Sequence, residues 1–217
     1  MIRYAAHRTL TLDVRPRRES ITMSRKTHNE RCHDCKKSVR NLLAALFGAE
    51  EVNWHLDLFC RLEDFINTSL YDTLGVVHEA LQKNRGFNQF VMSNNLPRVD
   101  FFIPDRKLII EFDESQHFTK PRDLALSLYP NGQDFGFSLK RWRTLCQELD
   151  RRDNDPPYRD EQRAWYDTLR DFAPILTGSG QTIRLYSRDF VWCSLNSHSE
   201  SDLRTFKQKI FKSKRGQ

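Results

Sequence analysis

The chain has 217 residues, 38% of them hydrophobic, with 35 Lys and Arg against 29 Asp and Glu, a net charge of +6 and a mean hydropathy of −0.70. That length supports one domain with appendages, whose core needs no disulfide support. No apolar run approaches the roughly 18 residues of a membrane-spanning helix and no basic start leads into the apolar stretch of a secretory signal, so a soluble cytoplasmic protein is expected. The charge is uneven: residues 1–40 hold 11 basic against 4 acidic side chains, residues 202–217 hold 6 against 1, and the stretch between holds 18 against 24. An acidic body with basic ends suits an enzyme acting on a polyanion, whose phosphates the ends attract.

Residues 1–26 read as a basic arm. Arg3, Arg8, Arg15, Arg17 and Arg18 lie in a segment without helical periodicity or a convincing strand. Disorder, an arm that orders on nucleic acid, and an upstream extension before a true start at Met23 are all compatible with it. A transit peptide is also Arg-rich, but Asp13 and Glu19 weaken that reading.

Residues 27–69 are expected to form a helical, Cys-containing N-terminal extension. Cys32 and Cys35 make a C-x-x-C whose spacing suits one half of a structural zinc site. The remaining ligands would come from His28, His33, His55, Cys60 or Cys193, of which His55 and Cys60 are the best pair by spacing. A redox pair or two ordinary thiols are the alternatives. Five cysteines, an odd number, argue against a disulfide framework, and Cys146 within a helical run reads as core. After the motif, Val39, Leu42, Leu43, Leu46 and Phe47 follow the three-and-four spacing of a buried stripe that Gly48 stops. That helix should pack on the main core or on a small N-terminal subdomain.

The main domain is expected over residues 70–200. A helix over 74–83 turns Val77, Ala80 and Leu81 inward and carries Glu79 near the edge of a sheet, unless Glu79 is an ordinary solvated glutamate. Residues 99–103 and 108–112 are rich in β-branched and aromatic side chains, and Pro104-Asp-Arg-Lys107 between them has turn chemistry. A loop centred on Asp105 and Arg106 sets Asp100 opposite Glu111. Asp113 lies two residues on, so the three carboxylates share one face, with Val99, Phe101, Ile103, Leu108, Ile110 and Phe112 on the other. Like charges about 5 Å apart across a strand pair are destabilising, which asks for a cation, and Mg²⁺ prefers such hard carboxylate oxygens.

Further helices are expected near 138–149, with Trp142, and near 160–172, with Trp165, Leu169 and Phe172, joined by a polar loop. Residues 182–186 read as a strand. The tail 201–217 has helical form, with Leu203, Phe206, Ile210 and Phe211 near one face and lysines around it. The order of helix, strand pair, helices, strand, strand and helix describes an α/β domain with helices flanking a mixed sheet.

The pattern V-D-F-x-I-P-x-x-x-L-I-I-E-x-D-x-x-Q-H over residues 99–117 resembles the core of the very-short-patch-repair-endonuclease-like (Vsr-like) branch of the PD-(D/E)XK nuclease superfamily. The likeness extends to the helix bearing Glu79, to Asp160-Glu-Gln-Arg163 opening a helix, and to the strand Thr182-Ile-Arg-Leu-Tyr186. It implies a restriction-endonuclease-like core in which Asp100 and Glu111 hold Mg²⁺ or Mn²⁺, Asp113 takes the next active-site position and Glu79 is an auxiliary acid. The chain departs from the superfamily where Asp113 replaces a lysine and Glu114 a glycine. Another group must then position the attacking water: Gln116 and His117 are nearest, Lys120 lies three residues on, and His117 suits proton transfer near neutrality.

Arg163, Arg184 and Lys120 are candidates for phosphate contact, with pairing to nearby acids as the ordinary reading of Arg163 and Arg184. Trp165 and Trp192 could stack on bases, although an aromatic in a periodic apolar pattern is more often core. The expected function is a metal-dependent DNA endonuclease of restriction-like defence or repair, acting alone, as a homodimer or as a subunit of such a system. The alternative is an inactive nuclease fold that binds nucleic acid, with a zinc-bound reading module.

Overall fold

The computed structural model describes residue 28, residues 32–48 and residues 50–212. The basic arm lies outside the described residues, as does the end of the tail beyond residue 212. Four strands form one mixed sheet in the order β1 (Glu51–Trp54), β2 (Val99–Ile103), β3 (Leu108–Asp113), β4 (Thr182–Tyr186). β2 and β3 form the expected hairpin, with Phe101 opposite Ile110, Phe102 opposite Ile109 and Ile103 opposite Leu108. Pro104–Arg106 closes it as a 3-10 turn, and Lys107 takes the left-handed φ of 50° that ends it. β1 adds antiparallel to β2, and β4 lies parallel to β3. Parallel neighbours need a long crossover, here the helical stretch between β3 and β4.

Helices cover both faces. On one, α2 (Tyr71–Arg85), α3 (Lys120–Ser127), α4 (Leu139–Leu149) and α5 (Arg159–Thr177) bury Leu74, Val77, Leu81, Trp142, Trp165 and Phe172 with Ile109 of the sheet. On the other, α1 (His33–Phe47) and α6 (Glu200–Lys212) pack Val39, Leu42, Leu43, Phe206 and Ile210 against Phe101, Ile103, Leu108, Ile110 and Phe112. The apolar stripe of α1 is thus spent on the sheet, and the segment after it contributes β1. The extension and the tail complete the layers of the core.

Three elements differ from the sequence expectation. β1 is short and largely exposed, with no alternation to announce it. α3 follows Thr119, whose side chain accepts the Arg122 N–H as an N-cap, but its eight residues are too few to show a period. Among the described residues no strand follows β4; Trp192–Ser194 forms a 3-10 turn instead. Val99 also departs from its expected face and packs with the α2–α5 layer. The ladder to β3 holds only from Phe101 onward, although Val99 still pairs with Trp54 of β1.

The loop between α3 and α4 drives Phe135 and Phe137 into the core and runs tight against the start of β4. A Cβ on Gly136 would lie 2.3 Å from the Thr182 carbonyl oxygen. Both contacting groups at that point are backbone and cannot swing aside. Gly136→Ala should therefore destabilise the fold by about 1–3 kcal/mol, the usual cost of overpacking, as measured by chemical denaturation.

Candidate active site and metal centre

β2 and β3 part beside Asp100 and Glu111. Where a further ladder bond would form, the Phe112 N–H donates to Asp100 Oδ2 at 2.9 Å and the Asp100 N–H donates to Glu111 Oε1 at 3.2 Å. Each carboxylate therefore caps the backbone of the other strand, and both fill the opening. The Asp100 side chain is 22% exposed and that of Glu111 5%. Burial pushes Glu111 up to about 7; Arg170 acts to lower it, and the Asp100 charge raises it further.

Asp100, Glu111 and Asp113 each have a cation from the protein itself. Lys36 Nζ of α1 lies 2.5 Å from Asp100 Oδ1. Arg170 Nε of α5 lies 3.6 Å from Glu111 Oε2 and, although buried, has no hydrogen-bond partner. Arg184 of β4 binds Asp113 through Nη1 at 2.8 and 3.0 Å. The expectation that these acids lack compensation is thus corrected, and the case for a divalent ion rests on the convergence of Asp100 and Glu111 alone.

Asp113 is corrected more strongly. It is 1% exposed, and besides Arg184 it accepts the Trp142 indole N–H at 2.8 Å. It is one member of a buried charge network. Arg184 also reaches Asp171 at 2.7 Å and Asp167 at 3.4 Å, Arg122 reaches Asp171 at 2.5 Å, and Tyr129 donates to Asp171 at 2.7 Å. His117 Nδ1 bonds Asp167 Oδ2 at 2.8 Å. Burial opposes a charge on His117, but Asp167 and Asp113 outweigh it and raise its pKa. Burial likewise opposes the Asp167 charge, yet His117 and Arg184 hold that carboxyl well below its usual range. The Asp167 bond ties the His117 Nδ1 into the network, and the upward shift favours the protonated imidazole over the neutral base.

The other expected site residues lie elsewhere. Glu79 is exposed on α2 and pairs with Lys83 one turn on, so it does not reach the sheet. Gln116 donates to Glu114 at 3.3 Å. Lys120 is exposed and lies 3.5 Å from Asp150. Arg163 bonds Asp153 and the Gln116 carbonyl, both at 2.8 Å, and Arg184 is fully buried, which removes it from phosphate contact. Trp165 and Trp192 are core.

A second cluster joins four soft donors. His28, Cys32, Cys35 and Cys193 place one ligand atom each within 4.8 Å of one another. His28 Nε2 is 3.0 Å from Cys35 Sγ and 3.4 Å from Cys193 Sγ. Four ligands about 2.0–2.3 Å from a tetrahedral zinc ion sit about 3.5–3.8 Å apart, so the donor set and spacing fit such an ion. Cys32 caps α1, Cys35 lies in its first turn, and Cys193 comes from the turn after β4. Burial pushes Cys35 up to about 12 in the absence of an ion, whose binding would require the thiolate.

His28 and Cys193 take the places expected of His55 and Cys60. His55 is exposed, while Cys60 is buried in the other core layer and donates to the Ser93 carbonyl at 2.8 Å. His28 and Cys193 both stood among the candidate ligands, but sequence spacing favoured the wrong pair; the docking of α1 beside the turn after β4 brings Cys193 in. The network members Asp167, Arg170 and Asp171 were missed. Their signal was three charged residues interleaved with Trp165, Leu169 and Phe172 in a helix buried from 160 to 173 except at Arg163.

Models of protein families, curated proteins and solved structures, each compared with the chain, give no match. Among the described residues no helix is long and apolar enough to cross a membrane.

Two outcomes are expected. Arg184→Leu strands Asp113, Asp167 and Asp171 in the core, and breaking such a buried network should cost about 3–5 kcal/mol in chemical denaturation. The purified chain should carry about one zinc ion per molecule by elemental analysis, and Cys193→Ser should lose it, since a structural site needs its full ligand set.

Proposed function

We propose that the chain is a metal-dependent endonuclease that hydrolyses phosphodiester bonds in DNA, in a restriction-like defence or a repair setting. The observation that carries the reading is the opening between β2 and β3, where Asp100 and Glu111 converge and replace the ladder with side-chain bonds. Two carboxylates with retained waters are a usual Mg²⁺ site, and Mn²⁺ takes the same oxygen ligands. Asp100 and Glu111 would hold the ion. When bound, it would supply a more nucleophilic water and offset charge building on the phosphate. The unpartnered Arg170 Nε beside Glu111 leaves a buried donor for an added oxygen ligand or water.

The chain's own groups prepare the opening. Arg170 donates to the carbonyls of Pro97 at 3.1 Å and Arg98 at 3.4 Å, which fixes the start of β2 as it leaves β3. Lys36 places an ammonium at the solvent side of Asp100. The resemblance of residues 99–117 to the Vsr-like branch supports the same assignment, and the basic ends of the chain supply attraction for a polyanion.

A second reading is a nuclease fold that binds nucleic acid without cutting it. The protein cations already paired with all three acids favour that reading. Plasmid nicking decides between them. The endonuclease should nick in Mg²⁺ or Mn²⁺, and Asp100→Ala and Glu111→Ala should each reduce the rate by about 100-fold or more, as for loss of a group acting on the transition state. Retained DNA binding with no cleavage in either metal would select the binder.

A further inference from the structure

We propose that Lys36 is the ammonium of the acidic strand end and that the Cys/His centre sets it in place; the catalytic half of this inference rests on the endonuclease reading. The position where the resemblance expects a lysine holds Asp113, which Arg184 and Trp142 occupy fully. The nearby alternatives are committed elsewhere: His117 to Asp167, Gln116 to Glu114 and Lys120 to Asp150. Lys36 instead comes from the opposite layer. Its Nζ lies 2.5 Å from Asp100 Oδ1 and 6.0 Å from the centre of the Phe101 ring, and its side chain is 42% exposed. An ammonium there can donate both to the carboxylate and to a water or phosphate oxygen arriving from solvent.

The link to the Cys/His centre follows from helix geometry. Lys36 is adjacent to Cys35 in the first turn of α1, the helix that Cys32 caps, so its backbone is tied directly to two members of the cluster. The first turn of α1 lacks a side-chain cap hydrogen bond at Cys32, and its one buried residue is Cys35, itself a member of the cluster. What fixes the start of α1 is therefore the cluster that joins Cys32 and Cys35 to His28 and to Cys193 beyond β4. A lysine on a flexible four-carbon stem stays on Asp100 only if its backbone is held. An ion shared by those four donors would hold it.

The test uses the full zinc-loaded chain. Lys36→Gln should lower Mg²⁺-dependent nicking by about 100-fold, the usual loss for one well-placed donor, while DNA binding and thermal stability persist and Lys36→Arg recovers part of the rate. Nicking undiminished in Lys36→Gln, in a wild type that cuts, would overturn the catalytic half while leaving the endonuclease reading intact. A wild type that does not cut removes that reading and the catalytic half with it. Placement is read without cleavage, from the NMR signal of isotopically labelled, reductively methylated Lys36, identified by its loss in Lys36→Arg. That signal should move in Asp100→Asn and move likewise in Cys193→Ser or on stripping zinc with a chelator. A signal indifferent to the Cys/His centre would overturn the placement.

Discussion

A single buried guanidinium organises the molecule. Arg184, on the last strand, has no exposed surface and binds carboxylates from three directions: Asp113 on β3, and Asp167 and Asp171 on α5. Isolated, any of these charges would be prohibitively costly in the interior. Together they lock α5 onto the sheet at a fixed rotation, because a planar donor fork accepts carboxylates only along set directions. The rest of the network follows from that rotation. Asp171 draws in Arg122 and Tyr129 of the α3 region, Asp167 draws in His117, and Arg170, between them in sequence, is turned toward Glu111.

The candidate site is thus a by-product of how charge is satisfied deeper in the core. Arg170 reaches both Glu111 and the carbonyls just before β2, so the helix that Arg184 anchors also contacts both strands where their ladder ends. The opposite layer acts from the other side. There the stripe of α1 buries against Phe101 and Ile110, and its first turn delivers Lys36 to Asp100. Asp100 is where the two layers meet, one directly through Lys36 and the other through Glu111, beside which Arg170 of α5 lies.

Much of this was legible in the sequence where a local rule governs. The hairpin register follows from the turn alone, and the stripes of α1, α4 and α5 follow from helical period. The C-x-x-C gave half of a metal cluster. What was not legible depends on long-range docking. Nothing local links Cys193 to Cys35 across 158 residues, or Lys36 to Asp100 across 64. The role of the acids was misjudged for a related reason. A strand shows its carboxylates in sequence but not the arginines that a neighbouring strand and helix will bring, so Asp113 looked uncompensated when Arg184 and Trp142 already enclosed it. Of the two readings open for Arg184, pairing with acids and phosphate contact, pairing is what the fold makes of it.

The three hairpin acids differ in how easily they could exchange partners. Asp113 has both oxygens held by a guanidinium and an indole that are themselves buried, and releasing it would strand Arg184. Glu111 is buried too; its Oε1 accepts the Asp100 N–H at 3.2 Å, but Oε2 meets Arg170 only at 3.6 Å and is the freer of the two to take a new ligand. Asp100 is the most exposed, and the lysine that pairs with it is itself 42% exposed, so solvent and its ions reach this carboxylate most readily. Exchange with a cation from solvent is therefore blocked at Asp113 and least opposed at Asp100, with Glu111 between. That ordering separates a structural acid from two available ones within a single hairpin, although all three are carboxylic acids close together in the sequence.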